Sequence, residues 1–366
     1  MRVEREIAAV AFPFAAGVVA AVILGASPCI IKPTYPIMAL TVTLLSVWLL
    51  LQSSGRRWSH QVQWSILTLC MLSCGTFIGI SALELRVSEL EAEGALSRWA
   101  LITGEKMKSA IDNIAFECES TGGIIKALLT GDRSALSPDI TQAFRDSGAS
   151  HILALSGLHL GIIYVIISKL LSFGGNSSHI CRVRAAVTIV LCGIYTLATG
   201  AGASITRAYI FIILKEVAEM TGRHTSLKSI LAATLIIHLG ISPTAAADIG
   251  FQLSYAAMFG IAYIFPYLRR IWTNDWKGLR WIWESAALSI SCQLTTGPLA
   301  WYYFGTFPQY FLLTNLLAIP LTGLLIPAAL LCVALTAIGW CPDIVVEITE
   351  WITQTMLEAL SVIACM

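Results

Sequence analysis

The sequence predicts an all-α, polytopic integral membrane protein with about ten transmembrane or re-entrant helices and a short amphipathic extracytoplasmic segment. Three observations carry that prediction. Apolar residues make up 57% of the chain and charged residues only 12%, with a mean hydropathy of +0.77, whereas about a quarter of the residues in soluble domains are charged. Apolar runs of spanning or near-spanning length recur from end to end. The loops between them carry arginine and lysine in alternation, as the positive-inside pattern requires.

The elements follow in order. Arg2 and Arg5 precede an apolar run over 7–25. It is expected to be a retained span and not a cleaved leader, because no small-residue cleavage site precedes a soluble domain and more spans follow. Spans over 36–51 and 62–83 flank a loop with Arg56 and Arg57. If Arg2 and Arg5 mark a cytoplasmic N-terminus, that loop is cytoplasmic too. Residues 84–150 are then outside. Up to 121 their apolar residues recur at helical intervals between charges, which predicts amphipathic helices on the outer surface. Further on, Gly131 and Asp132 mark a turn, Ser137 and Pro138 start a short helix, and Gly148 ends it.

The chain re-enters at 151 with HILALSGLHLGIIY. Read as one continuous helix, this run sets His151, Leu155 and His159 on one face and Ser156 one turn from His159. A span to about 173 leads to an inner loop with Arg182 and Arg184, and the run over 185–199 goes outward. The next returns with Arg207 near its outer end and Arg223 and Lys228 beyond its inner end. The run over 229–241 is short for a span, and Pro243 through Gly250 predicts an interruption. The run over 250–268 then ends in a basic loop with Arg269, Arg270, Lys277 and Arg280. A span over 281–304 goes out and one over 314–338 returns, bent by Pro320 and Pro327. From 343 an amphipathic tail helix puts Glu347 and Glu350 on one polar side.

Net charge is +1, so no global basic field announces a nucleic-acid partner. Cys70, Cys74, Cys192, Cys292 and Cys332 lie inside apolar runs and read as buried free thiols. The six histidines show neither metal-ligand spacing nor an HExxH pattern. No metal or other cofactor is expected. Singly, most polar residues in the spans have structural explanations, such as hydrogen bonds to the preceding turn. As a group, His151, Ser156, His159, Arg207, Asp248, Gln252, Gln293, Thr295, Thr296 and Asn315 are spread over separate apolar segments. Helices that gather such groups enclose a water-filled path. Arg207 and Asp248 would line such a cavity, pair across helices, or sit near the outer interface. Ser156 and His159 as nucleophile and base is the weaker reading, because neighbours on one helix rarely reach attack geometry and no oxyanion donors are identifiable. No catalytic residue is assigned.

Four blocks carry a family resemblance: GDRSALSPDITQAFRDSGASHILALSGLHLG, TGAGASITRAYIF, DIGFQLSYAAMFGI and QLTTGPLAWYYFGTFPQYFLLTNLLAIPLTGLLIP. In this order they resemble the bacterial competence channel family, ComEC, over residues 122–330. The resemblance implies a multi-pass channel of the bacterial inner membrane that conducts single-stranded transforming DNA into the cytoplasm. It would have a DNA receptor outside and an ATP-driven helicase or motor inside. It also implies that His151, Ser156, His159, Arg207, Asp248, Gln252, Gln293 and Asn315 line the DNA path, with Asp132, Arg133, Gly157 and Pro298 supporting the motifs. A small-solute or lipid transporter on the same scaffold is the leading alternative, and an intramembrane hydrolase the third.

The expected organisation is 1–83 for the first spans, 84–121 for the outer segment, 122–340 for the channel core and 341–366 for the tail helix. Residues 84–121 are too short and too helical in pattern for the oligonucleotide-binding β-barrel that members of the family insert there. The HxHxDH pattern of the metallo-β-lactamase-like domain found in many members is absent, so nuclease activity is not carried over. The chain is accordingly read as a reduced member, a truncated product or a fragment.

Overall fold

The computed structural model of the chain describes residues 2–25, 37, 40–45, 47–48, 60–86, 95–174, 178–222, 225–272, 276–305 and 309–365. The expected span over 36–51 is only partly among them, and 87–94 of the outer segment lies outside them. Every regular element among the described residues is helical. In chain order these are α1 (Arg2–Gly25), α2 (His60–Arg86), α3 (Ala95–Asp112), α4 (Glu119–Thr130), α5 (Pro138–Asp146), α6 (Ser150–Leu153) and α7 (Gly157–Leu170). Then come α8 (Ser178–Ala198), α9 (Ala203–Met220), α10 (Leu227–Ile241), α11 (Ile249–Phe259), α12 (Phe265–Ile271), α13 (Lys277–Phe304), α14 (Phe311–Ala337) and α15 (Asp343–Ala364).

Among the described residues, the segments Glu6–Ile23, Val62–Ala82, His179–Ala198, Ile249–Ile271 and Phe311–Ala337 are long and apolar enough to cross a membrane. The helices Gly157–Leu170 and Leu227–Ile241 are apolar but shorter. Such lengths match a hydrocarbon core of about 30 Å at 1.5 Å per residue. The chain is an all-α polytopic membrane protein.

It divides into two compact units, Met1–Glu93 with Ile213–Gln252, and Gly94–Ile212 with Leu253–Met366. In the first, α1 packs along α2 and α10 packs on α1. The α1–α2 contact depends on small residues: a Cβ on Gly79 would stand 2.6 Å from Ala21 Cβ, and one on Gly17 2.9 Å from the Thr76 nitrogen. Missing side chains let two backbones approach where burial from water supplies no driving force. After α10 the chain makes a 3₁₀ turn over Pro243–Ala247 and an extended residue, Asp248, before α11 starts. This is the interruption expected between Pro243 and Gly250.

The core of the second unit includes Ile124, Leu128, Phe144, Ile152, Leu160, Leu325 and Met356, drawn from α4 to α7, α14 and α15. The tail helix α15 buries Thr349, Ile352, Thr353, Met356, Leu360 and Ile363 at three- and four-residue steps and packs along α14. Its Glu350 carboxylate accepts from the Cys118 N–H at 3.0 Å, so an acidic group sits at the N-terminus of α4, where the helix dipole favours it. Between α11 and α12 the helix widens to a π turn over Gly260–Ile264. Pro266 follows at once and has no N–H to donate to the carbonyl four residues back. Several hydroxyls within the helices are satisfied locally: Thr196 donates to the Cys192 carbonyl at 2.8 Å and Thr322 to that of Ala318 at 2.7 Å.

Candidate functional site

The Gly-Asp-Arg turn is a structural knot. Helix α4 ends at Gly131, whose φ of +80° is the left-handed geometry that glycine adopts without strain. The Asp132 N–H donates to Thr130 Oγ1 at 3.2 Å, and Asp132 Oδ1 accepts from the Ser134 N–H at 3.0 Å. Lys108 of α3 reaches Asp132 Oδ2 at 3.0 Å. The Ser134 hydroxyl and N–H, then Lys108, hold the Asp132 carboxyl well below the usual carboxylate range. In return Asp132, and after it Glu105, raises the Lys108 ammonium above its ordinary value. Arg133 Nε donates to the Leu153 carbonyl at 3.2 Å, fastening this turn to the end of α6.

The continuous helix expected through His151, Leu155 and His159 is broken. Helix α6 ends at Leu153, Ala154 is extended, and Ser156 is the extended N-cap of α7. Ser156 Oγ accepts from the Leu158 N–H at 3.2 Å, and His159 Nδ1 accepts from the Ser156 N–H at 3.1 Å. The pair closes as a capping box with histidine in the position usually held by Glu or Gln. Ser156 Oγ lies 2.9 Å from the same Nδ1 and donates its O–H to it. Because Nδ1 is an acceptor, neutral His159 carries its proton on Nε2.

That Nε2 is buried and has no hydrogen-bond partner among the described residues, and the His159 side chain is 0% exposed. Two other candidates share the feature. Arg207 of α9, 8% exposed, has an unpartnered buried Nε, and Asn315 at the start of α14 an unpartnered buried Oδ1. Arg207 lies against the first residue of α7: a Cβ on Gly157 would stand 2.5 Å from Arg207 Nη2 and 3.3 Å from Ala208 Cβ. The Tyr255 hydroxyl is within electrostatic reach of the same guanidinium. Helix α14 packs on α7, and Thr314, beside Asn315, donates to the Ser147 carbonyl at 2.6 Å. Arg207 of α9 thus meets the N-terminus of α7 at Gly157, next to Ser156 and two residues before His159, while Asn315 stands on α14, a helix of the same unit that packs on α7.

The remaining candidates are placed differently. His151 is exposed, with Nδ1 at 3.2 Å from the Gly148 carbonyl. Asp248 is exposed in the other unit, where Oδ1 accepts from the Gly250 N–H at 2.8 Å, so it serves as an N-terminal cap of α11. Gln252, on the same helix, donates Nε2 to the Ala246 carbonyl at 3.0 Å. Gln293 is half-buried and Pro298 exposed on α13, and Thr295 and Thr296 both bond to the Cys292 carbonyl of their own helix at 2.9 Å. Sequence reading missed Lys108, Thr314 and Tyr195, whose hydroxyl donates to the Leu129 carbonyl at 2.8 Å. Each is one polar residue on an ordinary helical pattern and acquires its role only through a partner distant in sequence.

The family comparison falls on this same part of the chain. The Competence protein family model matches residues 128–366. ComE operon protein 3 of Bacillus subtilis (strain 168) is 24% identical over 212 residues, 58% of this chain and 25% of that protein. Competence protein ComA of Neisseria gonorrhoeae is 28% identical over 221 residues, 57% of this chain and 30% of that protein. The chain thus spans about a quarter to three tenths of the length of these relatives. No solved structure matches. The matched span contains the Gly-Asp-Arg turn, the α7 capping box, Arg207 and Asn315, and the chain belongs to the family of ComEC-type competence proteins.

Proposed function

We propose that this protein takes part in DNA uptake during natural competence, conducting a single strand of transforming DNA across the bacterial inner membrane, with residues 122–340 as the channel core. The observation that carries the reading is the trio His159 Nε2, Arg207 Nε and Asn315 Oδ1, three buried polar atoms without partners among the described residues, on α7, on α9 where it meets the start of α7, and on α14, which packs on α7. A buried polar group left unsatisfied costs about 1–3 kcal/mol, so groups of this kind on adjoining helices support a role other than stability. A single strand carries a phosphate at every nucleotide, and lipid cannot solvate it. A route for it needs donors and cations that hold no phosphate tightly. Two N–H donors, one on a guanidinium, beside a helix N-terminus meet that need.

His151 and Gln293 are proposed as further stations of the path in the same unit, with Asp132, Arg133, Gly157 and Pro298 as its supports, and Asp248 and Gln252 as polar groups that the other unit contributes on its own. The alternation of basic loops supports a cytoplasmic N-terminus. The competence name of the family and of the Neisseria relative supports a part in DNA uptake, and a DNA receptor outside and an ATP-driven motor inside are the partners proposed with it. The test replaces His159 or Arg207 by alanine in a naturally transformable host. Transformation should fall to background while the amount of protein in the membrane stays unchanged. Reconstituted in liposomes, the wild-type protein should show ion conductance that responds to single-stranded DNA and not to small solutes. Normal transformation by both variants would overturn the proposal, and solute transport without a DNA response would favour a transporter on the same scaffold.

A further inference from the structure

We infer that the pocket at the junction of α12 and α13 binds the phosphate headgroup of an anionic phospholipid. The cavity has a volume of about 270 Å³ and is lined by Pro266, Arg269, Arg270, Trp272, Arg280 and Glu284. Basic loops at helix ends serve topology through charge alone, and what exceeds that need here is the construction. Arg269 Nε and Arg280 Nε converge on one oxygen, Glu284 Oε1, at 2.9 and 3.1 Å. One carboxylate thus fixes two guanidiniums at the mouth of a cavity and leaves the lining net positive. Arg270 makes no ion pair among the described residues. The wall is held as well: Trp272 packs edge-on against Trp283 with ring centroids 5.7 Å apart, and Trp283 Nε1 donates to the Leu268 carbonyl at 3.2 Å. A planar fork held in place suits phosphate oxygens, which arginine binds bidentately.

A phosphodiester could arrive on a lipid or on a nucleic acid, and the surroundings favour the lipid. The pocket lies at the end of the apolar segment Ile249–Ile271. Around it Tyr267 is 68% and Trp276 71% exposed, with Ile271 and Trp281 exposed as well. Aromatic side chains of this kind occupy the headgroup level of a bilayer, and basic pockets between membrane helices there take acidic headgroups. A single-strand track would need basic and stacking groups extending over several nucleotides, whereas this pocket is closed by one short set of side chains.

The test measures retained lipid by native mass spectrometry on the full chain, titrated with phosphatidylglycerol against phosphatidylcholine. Wild-type protein should retain phosphatidylglycerol preferentially, and Arg270→Gln should weaken that retention roughly fivefold, the effect of about one arginine at a membrane surface. Arg270→Lys, which keeps the charge but loses the fork, should fall between them. It also preserves the test should the glutamine variant not fold. Parallel titrations use inorganic phosphate and an oligothymidylate. Equal retention of the two lipids, or unchanged retention in both variants, would overturn the inference. So would inorganic phosphate held as tightly as the lipid, or oligothymidylate binding that is lost in Arg270→Gln while lipid retention is not.

Discussion

The Arg207 guanidinium rests on the backbone of Gly157, with Nη2 2.5 Å from the place where a Cβ would project. The residue that starts α7 is thus the seat of a buried charge from α9. Gly157→Ala must push the guanidinium or Ala208 aside, and overpacking of this kind costs about 1–3 kcal/mol. The variant should unfold at lower temperature in detergent and transform poorly. Gly161→Ala, on the same helix with nothing within 4 Å of the added carbon, should match or exceed wild-type stability. Equal unfolding midpoints for the two variants would refute the seating.

The Ser156–His159 contact separates a cap from a catalytic dyad. As a cap, Ser156→Ala should destabilise α7 by about 1 kcal/mol, and Ser156→Asn, another good N-cap that keeps an N–H donor for His159 Nδ1, should restore most of it. As a nucleophile, Ser156 would react with a fluorophosphonate probe and Ser156→Asn would be inactive. The expected result is no labelling of the wild-type protein and better thermal stability in the asparagine variant than in the alanine one. Covalent labelling at Ser156 would reverse the reading.

The Gly-Asp-Arg turn gives a pH dependence with a definite sign. Asp132 has its folded-state pKa lowered by Ser134 and Lys108. Its contribution to stability is therefore present above the unfolded carboxylate value near 3.9 and is lost as pH falls below that toward the depressed folded value. Thermal midpoints of wild-type protein should drop between about pH 4 and the lower limit of folding. Asp132→Asn should start lower at neutral pH and lose less on acidification. Parallel curves for the two proteins would place the acid-sensitive group elsewhere.

Much of the architecture could be read from the sequence because local chemistry wrote it there. Gly131 and Gly148 end helices with φ of +80°, Ser137 caps α5 with Pro138 at its first turn, and Pro243 opens the interruption before α11. The break at 154–156 was hidden by an apolar run whose period continues through it. The capping box there uses His159 at N3, where the usual signal is Glu or Gln. For the candidate site, residue type selected His159, Arg207 and Asn315, but type alone could not separate them from Asp248 or Thr296, which bond locally. Local and distant bonding are chosen by tertiary packing, which hydropathy does not record.

The unpartnered atoms also allow function to be set against stability. If Asn315 Oδ1 is buried without a partner for the sake of a passing phosphate chain, an apolar side chain of similar size should relieve the folded state. Replacing an unsatisfied polar group by a well-packed apolar one is commonly neutral or stabilising. Asn315→Leu should then keep or raise the unfolding midpoint in detergent by a few degrees while transformation falls by at least tenfold. His159→Leu makes a sharper contrast, because it loses both the unpartnered Nε2 and the Nδ1 that closes the capping box. It should lose transformation and about 1 kcal/mol of stability together. Should Asn315→Leu unfold readily, the amide is structural and finds its partner within the protein. Should it transform at the wild-type level, the amide lies off the path.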